Sequence, residues 1–151
     1  MRRREFITSL VSTLVAWPFA GFAQTASKVY RIGVLSTDKP LPEPISGAIV
    51  RALASHGYIP DRNVALEFRA SGDQWEQLPQ LAKDLVAGNA DVILTFSCPA
   101  AVAAKNATTT VPIVVTESGG DPVATGLVKS LSRPSGNVTG VSTEDPDAIH
   151  L

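Results

Sequence analysis

Asp91-Val92-Ile93-Leu94-Thr95-Phe96, then Ser97-Cys98-Pro99 and an alanine-rich run to Thr108, then Val111-Pro112-Ile113-Val114-Val115-Thr116: this stretch decides the fold. Its two ends are short, nearly continuous apolar runs rich in β-branched residues, the pattern of strands buried on both faces. Pro99 lacks an N–H and suits the first position of a helix, so a short, weakly amphipathic helix is predicted over 99–108. Strand, helix and strand in this order make a βαβ unit with parallel strands.

The same alternation continues in both directions. Strands are predicted over 30–35, 64–69, 91–96, 113–116 and 138–142. A first helix over 45–56 sets Ile45, Ile49, Ala52, Leu53 and His56 on one face, with Gly57 placed to close it in a left-handed conformation. His56 then compensates the dipole at the helix end. A second helix over 74–87 is announced by Asp73 with Glu76 three residues on, and it aligns Trp75, Leu78, Ala82, Leu85 and Val86 before Gly88. Pro79 either starts the regular helix after an irregular turn or kinks it. Trp75 reads as core packing, with stacking on a ligand as the alternative. A fourth helix is predicted over 123–131, and Arg133-Pro134-Ser135-Gly136 turn the chain into the last strand. Right-handed crossovers then leave a three-layer, doubly wound α/β domain with a parallel sheet in the order 2-1-3-4-5.

The first two dozen residues have a different character. Arg2, Arg3 and Arg4 precede an apolar stretch from Phe6 to Ala20, and Gly21 and Ala23 frame a cleavage point before Gln24. That is the anatomy of a signal peptide over 1–23, too short for a comfortable membrane span. Arg3, Arg4 and Phe6 also fit the twin-arginine export motif, an address read by the export machinery that carries folded proteins, with an ordinary secretory signal or an uncleaved membrane anchor as the alternatives. Export to the periplasm follows.

With 151 residues, 44% hydrophobic and 18% charged, the chain can bury one ordinary core. Once Arg2, Arg3, Arg4 and Glu5 leave with the leader, ten basic and thirteen acidic residues remain, net −3. A nucleic-acid partner is not expected of that balance. A lone Cys98 forms no internal disulfide, and His56 and His150 offer no metal-ligand spacing. Neither G-x-G-x-x-G nor G-x-x-x-x-G-K-[ST] stands at a strand end, and no G-x-S-x-G elbow presents a nucleophile, so no cofactor and no catalytic residue is expected.

Arg31-Ile32-Gly33-Val34-Leu35-Ser36, Gly57-Tyr58 with Arg62-Asn63-Val64, Leu78-Pro79, and Thr108-Thr109-Thr110-Val111-Pro112-Ile113 occur in a telling order. So do Gly119-Gly120-Asp121-Pro122-Val123 and Arg133-Pro134-Ser135-Gly136-Asn137-Val138-Thr139-Gly140-Val141-Ser142. Together they resemble the substrate-binding proteins of ABC transporters with the type I periplasmic-binding-protein fold. The resemblance implies a clamshell of two α/β lobes that closes on a small solute, in some relatives an aromatic amino acid, and delivers it to a membrane permease. Residues 24–142 would form the N-terminal lobe and 143–151 a truncated tail or the start of the hinge. A second lobe does not follow in this sequence, which suggests a truncated product or a fragment. Phe96-Ser97-Cys98 stands where such relatives have a Gly-Gly-Thr-like turn, and Phe96 is expected to narrow the pocket. Thr116-Glu117-Ser118 reads one residue longer than in relatives.

In doubly wound sheets ligands sit outside the carboxyl ends of the strands, where helix N-termini point N–H groups into a crevice. Three loops qualify: Ser36 and Thr37, then Ser97 and Cys98, then Glu117, Ser118 and Asp121. Hydroxyls and amides of the first two suit a carboxylate, and Glu117 with Asp121 suits an ammonium group, so the set matches a zwitterionic amino acid. Each has a local alternative, since Ser97 or Cys98 can cap the third helix and Asp121 the fourth. The competing functions are a ligand-sensing regulatory domain of the same fold, a small exported α/β enzyme, and a non-functional remnant.

Overall fold

Five parallel strands form one sheet in the order β2-β1-β3-β4-β5 in the computed structural model, which describes residues 28–37, 43–117, 121–130, 132 and 136–141. The leader, 1–23, and the tail, 143–151, lie outside the described residues. The strands are β1 (Tyr30–Ser36), β2 (Val64–Ala70), β3 (Val92–Phe96), β4 (Ile113–Glu117) and β5 (Val138–Gly140). Between them lie α1 (Glu43–Ser55), a single 3₁₀ turn (Trp75–Gln77) running into α2 (Leu78–Ala87), and α3 (Cys98–Ala107).

Side-chain alternation along the strands divides the core in two. Ile32, Val34, Val64 and Phe96 are buried on one face, against Ile45, Ile49 and Leu53 of α1. Leu35, Ile93, Ile113 and Val115 are buried on the other, against Leu78, Ala82 and Leu85 of α2 and Ala100, Ala101 and Ala104 of α3. Small alanines let α3 lie close to the strands, which explains how a helix with weak apolar patterning packs at all. Phe96 therefore packs in the α1-side cluster, at 9% exposure. Period-2 alternation decides the point, because its neighbour Thr95 faces α2 and α3.

Three helical expectations are corrected. In α1 the buried stripe is narrower than expected: Ile45, Ile49 and Leu53 are half-buried, whereas Ala52 and His56 are exposed. His56 lies in the turn after the helix, where Gly57 stands at φ +83°. At the start of α2, Pro79 stands in the first turn of the regular helix after the irregular 3₁₀ turn, as the first of its two readings had it, but the capping expected ahead of the helix is missing: neither residue preceding the 3₁₀ turn or α2 makes a side-chain cap bond. Trp75, placed in the core by helical periodicity, is 58% exposed. Trp75 sits in the separate 3₁₀ turn ahead of α2, before the regular helix that carries the stripe of Leu78, Ala82 and Leu85 begins.

The fourth helix does not form among the described residues. Residues 122–126 are turns: the Thr125 N–H donates to the Asp121 carbonyl at 3.1 Å and the Gly126 N–H to that of Val123 at 2.9 Å. Gly126 then takes φ +72°, which a continuing α-helix cannot accommodate, and Leu127 and Val128 fold into the core. Beyond it Asn137 clamps the amino end of β4. Its Nδ2 donates to the carbonyls of Thr108 at 3.2 Å and Val111 at 2.7 Å, and its own carbonyl accepts the Ile113 N–H at 2.8 Å. The last strand stops at Gly140, short of the range expected.

At the amino edge of the sheet Asp91 accepts the Lys28 ammonium at 2.6 Å and the Arg31 N–H at 2.8 Å. These two hydrogen bonds hold its carboxyl below the usual range, and the bond to Asp91 raises Lys28. This charged cluster lies at the opposite end of the strands from the candidate loops.

Candidate functional site

Register fixes which loops meet. Ser36 pairs with Ala70 of β2 on one side and with Phe96 of β3 on the other, and Phe96 pairs with Glu117 of β4. The carboxyl ends of four adjacent strands thus stand in one row, about 4.8 Å from strand to strand. The loops at Thr37, at Ser97 and after Glu117 leave from the same edge. Between Thr95 and Phe96 the register slips, so Thr116 is the extra residue on β4, and its hydroxyl donates to the Thr95 carbonyl at 2.9 Å. The slip falls in the segment that reads one residue longer in the sequence.

The individual residues differ in what they can offer. Ser36 is the last residue of β1, only 2% exposed, and its carbonyl accepts the Ser71 N–H at 3.1 Å. Thr37 follows it, half-buried, outside the strand. Ser97 is half-buried and stands at φ 112°, ψ 150°, a region populated almost only by glycine. Its hydroxyl accepts the Ala100 N–H at 3.5 Å and its carbonyl the Ala101 N–H at 3.1 Å, so it caps α3 as its local reading had it. Cys98, 6% exposed, opens α3 as a free thiol with Pro99 behind it. Burial of that thiol leaves the backbone as its means of contact at the edge.

Asp121 is exposed and its Oδ1 accepts the Val123 N–H at 2.7 Å. It caps a turn in place of the helix expected there. Glu117 ends β4, while its side chain and Ser118 lie outside the described residues. Ser36, Ser97, Cys98 and Glu117 are thus brought to one edge by strand pairing.

Two features escaped the sequence reading. Thr95 is fully buried on the α2 and α3 side, and its Oγ1 has no hydrogen-bond partner among the described residues. A threonine within an apolar strand was the one signal for it. The second is an open groove of about 530 Å³ between the first turn of α2 and the side of α3. Trp75, Leu78 and Pro79 line one wall, Cys98, Pro99 and Val102 the other. Among the described residues no cluster of three or more His, Cys, Asp and Glu could hold a metal, and no helix is long and apolar enough to cross a membrane.

Residues 35–150 match the family model described as ABC transporter substrate binding protein. The chain is 34% identical over 118 residues to a tyrosine-binding protein of Clostridioides difficile (strain R20291), covering 78% of this chain and 34% of that protein. It is also similar to solved structures. A ligand-free, open substrate-binding protein with adhesive properties from Clostridium difficile matches at 32% identity and a TM-score of 0.68, over 76% of this chain and 39% of that one. An ABC domain in complex with L-Trp from Streptococcus pneumoniae matches at 33% and 0.64, over 76% and 39%. A conserved domain protein from Vibrio cholerae matches at 31% and 0.70, over 82% and 42%. The chain spans about a third of the curated relative's length, the 34% given above.

Proposed function

Because the chain belongs to the ABC transporter substrate-binding protein family, a non-catalytic family, we propose that it binds a zwitterionic amino acid with an aromatic side chain. Binding takes place at the carboxyl edge of its sheet. The observation that carries this reading is the register row Ala70, Ser36, Phe96, Glu117, which lines up three loops of complementary chemistry. The solute's carboxylate meets the Thr37 hydroxyl, the Ser97 hydroxyl and the amides at the start of α3, where the helix dipole favours negative charge. Its ammonium group meets Glu117 and Asp121. Ser118 borders the same loop. The names of two relatives, one binding tyrosine and one bound to L-Trp, support the aromatic side chain.

In the same reading the leader with Arg3, Arg4 and Phe6 sends the chain through the twin-arginine machinery, cleavage after Ala23 releases it to the periplasm, and the bound solute passes to a membrane permease. The described residues form one α/β lobe, and such a lobe taken by itself leaves one side of the solute in water and binds no tighter than roughly millimolar.

Calorimetry with tryptophan, tryptamine and indole-3-propionic acid tests the proposal. Tryptophan should give saturable heat, and removing either its carboxylate or its ammonium group should abolish it. Equal heats from all three would overturn a site built for a zwitterion.

A further inference from the structure

We draw no further inference here: the strongest candidate, the apolar groove between the first turn of α2 and the side of α3 beneath the exposed Trp75, is an unpartnered apolar surface, and nothing in the structure shows what covers it.

Discussion

Ser97 turns into α3 at φ 112° while its hydroxyl accepts the N–H of Ala100 three residues on, so one residue both strains the backbone and caps the helix. The two effects have opposite signs and can be separated by substitution. Glycine adopts this backbone region without the cost of about 1 to 3 kcal/mol that other residues bear, and as a helix cap it is only a few tenths of a kcal/mol worse than serine. Ser97→Gly should therefore stabilise the fold by about 1 kcal/mol or more, read as a higher urea midpoint. Ser97→Ala keeps the strain and loses the cap, and should destabilise by about 1 kcal/mol. A glycine variant less stable than the alanine variant would contradict this account of the turn.

Thr95 lies fully buried with its hydroxyl unpaired among the described residues, while the bond from Thr116 goes to its carbonyl. Valine has nearly the same shape without the hydroxyl, and an unmade buried hydrogen bond costs about 1 to 3 kcal/mol. Thr95→Val should raise the melting temperature, with the Thr116 contact intact. A lower melting temperature would mean that the Thr95 hydroxyl has a partner in solution.

Trp75 and Leu85 test the revised core. Leu85 is fully buried, so Leu85→Ala should cost about 2 to 5 kcal/mol in chemical denaturation. Trp75 is more than half exposed, so Trp75→Gln should change stability by no more than about 0.5 kcal/mol. In a chain cleaved after Ala23 it is the one tryptophan, and its fluorescence maximum should already be that of a wet indole before unfolding. A blue-shifted native spectrum would return Trp75 to the core.

Gly140 packs against Val115, where an added Cβ would stand 2.8 Å from the Val115 Cβ and closer still to its carbonyl oxygen. Gly140→Ala must push β5 off β4, and the Val141 N–H bond to the Val115 carbonyl, 3.0 Å long, goes with it. The cost should be about 1 to 3 kcal/mol, as for overpacked sites, with faster hydrogen exchange at Ile113 and Val141.

The parts of this fold that were legible in the sequence are those where one physical rule acts alone. The central strands β1, β3 and β4 are largely buried and leave nearly continuous apolar runs; all five strands were placed within two residues at either end, and their order followed from chirality. Elements set by backbone turns were not legible. Trp75 was assigned by reading 74–87 as one helix, whereas it sits in a separate 3₁₀ turn ahead of α2, and the turns of 122–126, with Gly126 at φ +72°, stand where a helix was expected. At the candidate site the loops were found because strand ends define them. Side-chain exposure was not, because β1 runs one residue further than expected and draws Ser36 into the sheet, leaving Thr37 nearer the edge.

Asp121 separates structure from binding. Its carboxylate accepts the Val123 N–H, a role that the asparagine side-chain oxygen also fills. Asp121→Asn should leave the melting temperature unchanged and weaken tryptophan binding by about tenfold or more, the scale of a lost charged hydrogen bond. Unchanged affinity in Asp121→Asn, with a lower melting temperature in Asp121→Ala, would make it a turn cap only.

The most direct test of the central claim is to titrate the isotope-labelled chain with tryptophan and follow its backbone amide resonances. Binding at the carboxyl edge predicts saturable shifts concentrated at Thr37, Ser97, Cys98 and Asp121. Shifts confined to Trp75, Leu78 and Val102 in the lateral groove, or no saturable shift at the solubility limit of tryptophan, would contradict it.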